Sequence, residues 1–225
     1  MSVAGVVFAT APAVGGPTPL TPLAGLPMIG WAISALRDGA DLAQLVVVAD
    51  PTGAGVDGVA EALDRALPGH GTVLVAAGDT RHRSLHHVLS IIDSPVQTVL
   101  LHDGWWPLAS AELVSRVVAA VQSGAPAAVP AVEVTETVKG LDAAGRVSAT
   151  VPRESLVRLQ APQGVRRALL EAAHAGCRLG AADIDDAVAL TPTGIAPVTV
   201  PGEHAVFPVL DPADLALAEA VLATR

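Results

Sequence analysis

The chain is poor in several residue types, and each shortage excludes something. Of 225 residues one is cysteine, Cys177, so there is no disulfide framework and no cysteine-built zinc or iron–sulfur site. Cations are scarce: twelve Arg and a single Lys, Lys139, against 22 acidic residues give a net charge of −9. That balance argues against a nucleic-acid partner, which favours a basic face. Tyrosine is absent, and Trp and Phe number three and two. No uninterrupted apolar run approaches the roughly 18 residues of a membrane span. The N-terminus lacks the basic start of a signal peptide, and 3–9 reads better as a first strand. The sequence therefore predicts a cytoplasmic protein without membrane contact.

What is abundant is small and apolar. Hydrophobic residues make up 51% and charged residues 16%, with 43 Ala and 21 Gly, which suits one domain with a large core and excludes general disorder. Short Val/Leu runs alternate with Ala/Leu stretches of helical spacing. Strands are predicted at Val3–Ala9, Leu45–Ala49, Thr72–Ala76, Thr98–His102 and Ala127–Val132. The helices between them fall at Pro27–Leu36, Val56–Leu67, Arg81–Ile92 and Ser110–Gln122. Continuous rather than alternating apolar runs mark strands buried on both faces. The expected fold is α/β, a doubly wound, mostly parallel sheet.

The rhythm breaks near Val132. Residues 134–151 read as a projecting hairpin arm: Thr137–Leu141, a turn at Asp142–Gly145, then Val147–Val151. A helix is expected from about Gln163 to Ala175 and another near Ile184–Thr191. Strands follow at Ala196–Val200 and Val206–Val209, then a helix at Ala213–Ala223 capped by Asp211. One domain, 1–225, carries the arm.

Open parallel sheets bind ligands beyond the carboxyl ends of their strands. Four loops there carry polar residues. The first, Thr10–Pro22, holds Gly15 and Gly16; it either cradles phosphate with backbone N–H groups or merely connects, since its prolines lack that donor. The second, Gly78-Asp79-Thr80-Arg81-His82-Arg83-Ser84, opens a helix and offers an anion both the helix N-terminus and Arg81. Its bland reading is a cap at Asp79 or Thr80 with solvated arginines. His82 and His86 stand at metal-pair spacing but lack a nearby third ligand, so they read as solvated. The third, His102-Asp103-Gly104-Trp105-Trp106, puts a carboxylate at a strand end, where it can hold magnesium or order a hydroxyl. The two Trp either stack on a base or pack against the loop. The fourth, Asp185-Asp186, is either a metal pair or a helix-start feature.

Taken in order, Pro22-Leu23-Ala24-Gly25-Leu26-Pro27, Gly78–Ser84, His102-Asp103, Glu136-Thr137-Val138-Lys139, Arg153-Glu154-Ser155-Leu156, Gln160-Ala161-Pro162-Gln163, Asp185-Asp186-Ala187 and Asp211-Pro212-Ala213-Asp214 resemble the 2-C-methyl-D-erythritol 4-phosphate cytidylyltransferases of the non-mevalonate isoprenoid pathway. The resemblance implies a nucleotidyltransferase, Rossmann-like fold whose arm clasps a second copy as a homodimer. It implies transfer of a cytidylyl group from CTP, with Mg2+, to a polyol phosphate. By resemblance Gly78, Arg81 and Ser84 lie toward the nucleotide and Asp103 toward the acceptor. Thr137, Lys139 and Arg153 lie in the arm region, with Thr137 and Arg153 reaching the acceptor phosphate across the dimer. The chain also departs from the family pattern. Thr18 and Trp106 stand at basic positions, Pro208 replaces a late Lys, Ala161 replaces a Thr, and no cation occurs in residues 1–36. A degenerate paralogue that binds without turnover is the alternative expectation.

Overall fold

The computed structural model describes residues 2–10, 15–51, 55–69, 71–176 and 194–225. Cys177, the predicted helix at 184–191 and the Asp185-Asp186 pair lie outside the described residues. Four parallel strands form the heart of the sheet: β1 (Ser2–Ala9), β4 (Leu42–Ala49), β5 (Val73–Ala76) and β6 (Val96–Asp103), in the order β5-β4-β1-β6. Alternate side chains of β1 serve two cores. Val3, Val7 and Ala9 enter one with α1 (Met28–Gly39), α2 (Gly55–Ala66) and α4 (Ala111–Gln122). Ala4, Val6 and Phe8 enter the other with α3 (Arg81–Ile91) and α5 (Arg167–Gly176). With helices on both faces, the near-continuous apolar strands of the sequence are accounted for. The connection from β1 runs to β4 on one side, whereas β6 lies on the other. The strand order therefore reverses beside β1, and the carboxyl ends of β1 and β6 flank the switch point where such sheets bind ligands.

Beyond β6 the sheet turns mixed, and here the sequence reading is corrected. Gln163–Arg166 is not the start of a helix but a strand, β11, antiparallel to both β6 and β7 (Ala127–Glu133). It runs into α5 with no turn residue to announce the change. Gly164 lies against α4 so closely that a Cβ there would stand 2.7 Å from Val117 Cγ1, so a side chain here would force α4 side chains to shift. A second strand, β10 (Val157–Leu159), also antiparallel to β7, is too short and too exposed to show a period. β12 (Val198–Pro201) runs parallel to β7 close to the predicted strand. Val206–Val209 is not a strand: its residues fold as irregular chain, with Val206 and Val209 buried.

The remaining elements close the ligand-facing edge. β2 (Pro22–Leu23) and β3 (Leu26–Pro27) form a small hairpin, and α6 (Pro212–Leu222) starts from a capping box between Asp211 and Asp214. Together they enclose a third core of Leu23, Met28, Leu108, Val209 and Ala218, with Trp31, Trp105 and Phe207 packed on it. The predicted arm is present as β8 (Val138–Leu141) paired with β9 (Val147–Val151). Its turn is fixed by Asp142, which accepts from the Ala144 and Arg146 backbone N–H groups. The Arg146 backbone bond holds the Asp142 carboxyl below its ordinary range. No described helix is long and apolar enough to cross a membrane.

Candidate active site

The site is built at the ends of β1, β5 and β6. Phe8 and Asp103 are register partners on adjacent strands, and Gly104 N–H donates to the Phe8 carbonyl at 2.9 Å. Asp103 thus emerges beside the Phe8 ring. α3 begins opposite them. Thr80 is its cap, accepting from Arg83 N–H at 3.1 Å, which places Arg81 in the first turn. The Arg81 guanidinium lies over the Phe8 ring, 3.7 Å from its centroid, and donates to both Asp103 oxygens, at 2.5 and 3.4 Å. The two side chains are 24% and 14% exposed, so the pair is partly shielded from water yet open on one side.

Its neighbour His102 is fully buried. Burial lowers its pKa to about 3; the Trp106 backbone opposes this and the Arg81 charge adds to it. At neutral pH His102 is therefore uncharged and acts as a core residue.

The other residues singled out from the sequence divide into two groups. Gly78 and Ser84 belong to the same corner: Ser84 Oγ accepts from Gly78 N–H at 2.9 Å and donates to the Thr80 carbonyl at 3.0 Å. Ser84 is buried, so it shapes the loop rather than facing solvent. Arg83 pairs with Asp79 at the surface. Gly15 and Gly16 lie on the first loop, which is fastened farther along: Ile29 N–H donates to the Pro19 carbonyl and Thr18 N–H to Thr21 Oγ1. A Cβ on Gly104 would stand 2.9 Å from Pro19 Cβ, so glycine lets the first and third loops touch.

Thr137, Lys139 and Arg153 form the second group and stay apart. Lys139 donates to Thr150 Oγ1 at 2.7 Å and Arg153 to the Thr135 carbonyl at 2.8 Å, both within the arm region. All three are exposed, as are Leu141 and Val147 on the hairpin.

The paired Trp side chains pack. Trp106 rests on the α1/α4 core and Trp105 on the third core, where its carbonyl accepts from Val209 N–H. His82 stacks on buried His174 with centroids 4.3 Å apart. Two participants escaped the sequence reading. Phe8 looked like any strand residue, although an aromatic at the carboxyl end of the first strand was a usable signal. Glu203 gave no signal. It accepts from Ser110 Oγ and Arg116, and Gln160 clasps its backbone at both N–H and carbonyl, which anchors the 203–209 segment beneath the third loop.

A doubly wound sheet with a charged corner at the switch point and a detached hairpin defines a nucleotidyltransferase-type α/β protein. The crystal structure of 4-diphosphocytidyl-2C-methyl-D-erythritol synthase from Anaerococcus prevotii shares this fold at a TM-score of 0.82, 21% identity and 99% and 98% coverage of the two chains. The sequence profile described as IspD, 2-C-methyl-D-erythritol 4-phosphate cytidylyltransferase, matches residues 9–224, and the chain belongs to that family. The enzyme of that name from Frankia casuarinae is 42% identical over 93% of this chain and 76% of its own. The one from Streptomyces coelicolor is 40% identical over 94% and 80%. The solved structure of the Thermus thermophilus enzyme has a TM-score of 0.76 at 31% identity, with coverage of 97% and 98%.

Proposed function

We propose that the chain transfers a cytidylyl group from CTP to 2-C-methyl-D-erythritol 4-phosphate or a closely related polyol phosphate. An oxygen of the acceptor phosphate attacks the α-phosphorus of CTP, the bond from that phosphorus to the β-phosphate bridging oxygen breaks, and pyrophosphate leaves. The observation that carries the reading is the Arg81–Asp103 corner at the switch point of a chain 42% identical to a named member of the family. That kinship over nearly the whole chain supports turnover over the degenerate alternative.

Such a reaction asks the protein mainly to position the reactants and to balance spreading negative charge. The exposed and half-exposed glycines Gly15 and Gly16 offer backbone N–H groups to the triphosphate, and the Gly78–Ser84 turn borders the cytosine end. Asp103 faces the acceptor. Asp103, a carboxylate at a strand end, is the residue that would help hold Mg2+ bound with CTP, where the ion would supply neutralisation of phosphate charge. Thr137 and Arg153 reach the acceptor from a second copy, a reading supported by their exposure in one chain. The arm accordingly forms a homodimer.

The test is pyrophosphate release from CTP, magnesium and 2-C-methyl-D-erythritol 4-phosphate, with GTP as control. Release with CTP and acceptor together supports the reading. CTP binding with no release from any polyol phosphate would leave a binding protein instead.

A further inference from the structure

The sequence gives Arg81 the place of an anion contact, but the folded chain uses its guanidinium elsewhere. Its guanidinium carbon lies over the Phe8 ring, and its fork meets the Asp103 carboxylate at two points. Three separate elements therefore fix one carboxylate. β6 supplies Asp103, β1 supplies the ring beneath, and the capped start of α3 supplies the cation. The platform is in register with the carboxylate it supports, since Phe8 and Asp103 are partners across β1 and β6. Arg81 and Asp103 are 24% and 14% exposed, so water screens the pair only in part. A planar fork is the group that can hold a carboxylate in one orientation; a lysine supplies charge without that geometry.

We infer that Arg81 is a positioning residue that acts through Asp103, holding its carboxylate in the orientation used toward the acceptor, rather than a direct ligand of the CTP phosphates. This rests on the proposed transferase reading and refines the role of one of its residues.

The two roles separate in kinetics. A residue acting through Asp103 influences turnover, whereas a phosphate ligand influences nucleotide affinity. The variants are Arg81→Met, Arg81→Lys, Asp103→Asn and the double variant Arg81→Met/Asp103→Asn. Arg81→Met is expected to lose about 100-fold in kcat while KM for CTP stays within about threefold. Arg81→Lys recovers about tenfold of that loss. In the Asp103→Asn background Arg81→Met costs less than about twofold, because the carboxylate it would orient is gone. Thermal melting of all four proteins checks the fold.

A rise in KM for CTP that accounts for the loss overturns the inference in favour of a phosphate ligand. An undiminished loss in the Asp103→Asn background overturns it as well. So does a loss equal in both Arg81 variants that merely follows melting temperature. A wild-type chain that releases no pyrophosphate at all instead overturns the transferase reading.

Discussion

The two halves of the candidate site are built by different means. At the sheet edge Arg81 is paired with Asp103, and Ser84 with the Gly78 N–H and the Thr80 carbonyl, before any ligand arrives. In the arm region Lys139 stands on a two-stranded hairpin whose outer side chains Leu141 and Val147 are 64% and 68% exposed, and Thr137 and Arg153 flank it. A two-stranded hairpin has little independent stability in water. Exposed pairs such as Arg146–Asp142 add little to it, because water screens them. The edge is organised by the fold that carries it, while the arm has the character of a part completed by another surface.

This contrast can be broken experimentally, most severely at the edge. Asp103→Asn should reduce turnover roughly 100- to 1000-fold, as losing one charged group from a phosphoryl-transfer site does, without loss of the fold. Activity near wild type would remove the corner from the chemistry. Arg153→Met should cost about 100-fold in turnover and shift the urea midpoint little, since its bond is at the surface. Mixing the two inactive variants then sharpens the comparison. If arm and edge meet across a dimer, a one-to-one mixture regains roughly a quarter of wild-type activity, from heterodimers with one intact site. A mixture that stays inactive would place both halves within one chain.

Smaller effects concern the buried side of the edge. His102 has a pKa of about 3 when folded against 6.5 for the free side chain. The unfolded chain therefore takes up a proton first as pH falls, and stability is lost from pH 6.5 downward toward 3. At pH 5 this amounts to about 2 kcal/mol. Urea unfolding of wild type and His102→Leu should show the variant gaining about 2 kcal/mol relative to wild type between pH 7.5 and 5. A constant difference would mean that His102 is solvated. Smallest of all, Ser84→Ala leaves Gly78 N–H without its partner and should cost about 1–2 kcal/mol in urea unfolding.

Much of the body was legible because its signals are local. The apolar runs of β1, β4 and β6, the Ser110 cap of α4, the Asp211 capping box and the Asp142 turn each act within a few residues. The strands β10 and β11 were not legible. Gln163–Arg166 is too short to display a period, and its state is decided by the slot between β6 and β7, both distant in sequence. Val206–Val209 misled in the opposite direction. It is apolar because it is buried, while its backbone is set by Gln160 and by the Trp105 carbonyl rather than by a ladder.

The sequence by itself determined the layered α/β scaffold, the arm, the caps and the loops in which functional residues stand, because patterning, capping and turn chemistry are read over one or two turns of chain. The tertiary structure alone decided what those residues do to one another. It put Arg81 on Asp103 across 22 positions, laid both beside Phe8, kept His102 neutral in the core and left the arm residues facing outward. Distances between remote segments set charge pairing and desolvation, and no local pattern encodes them.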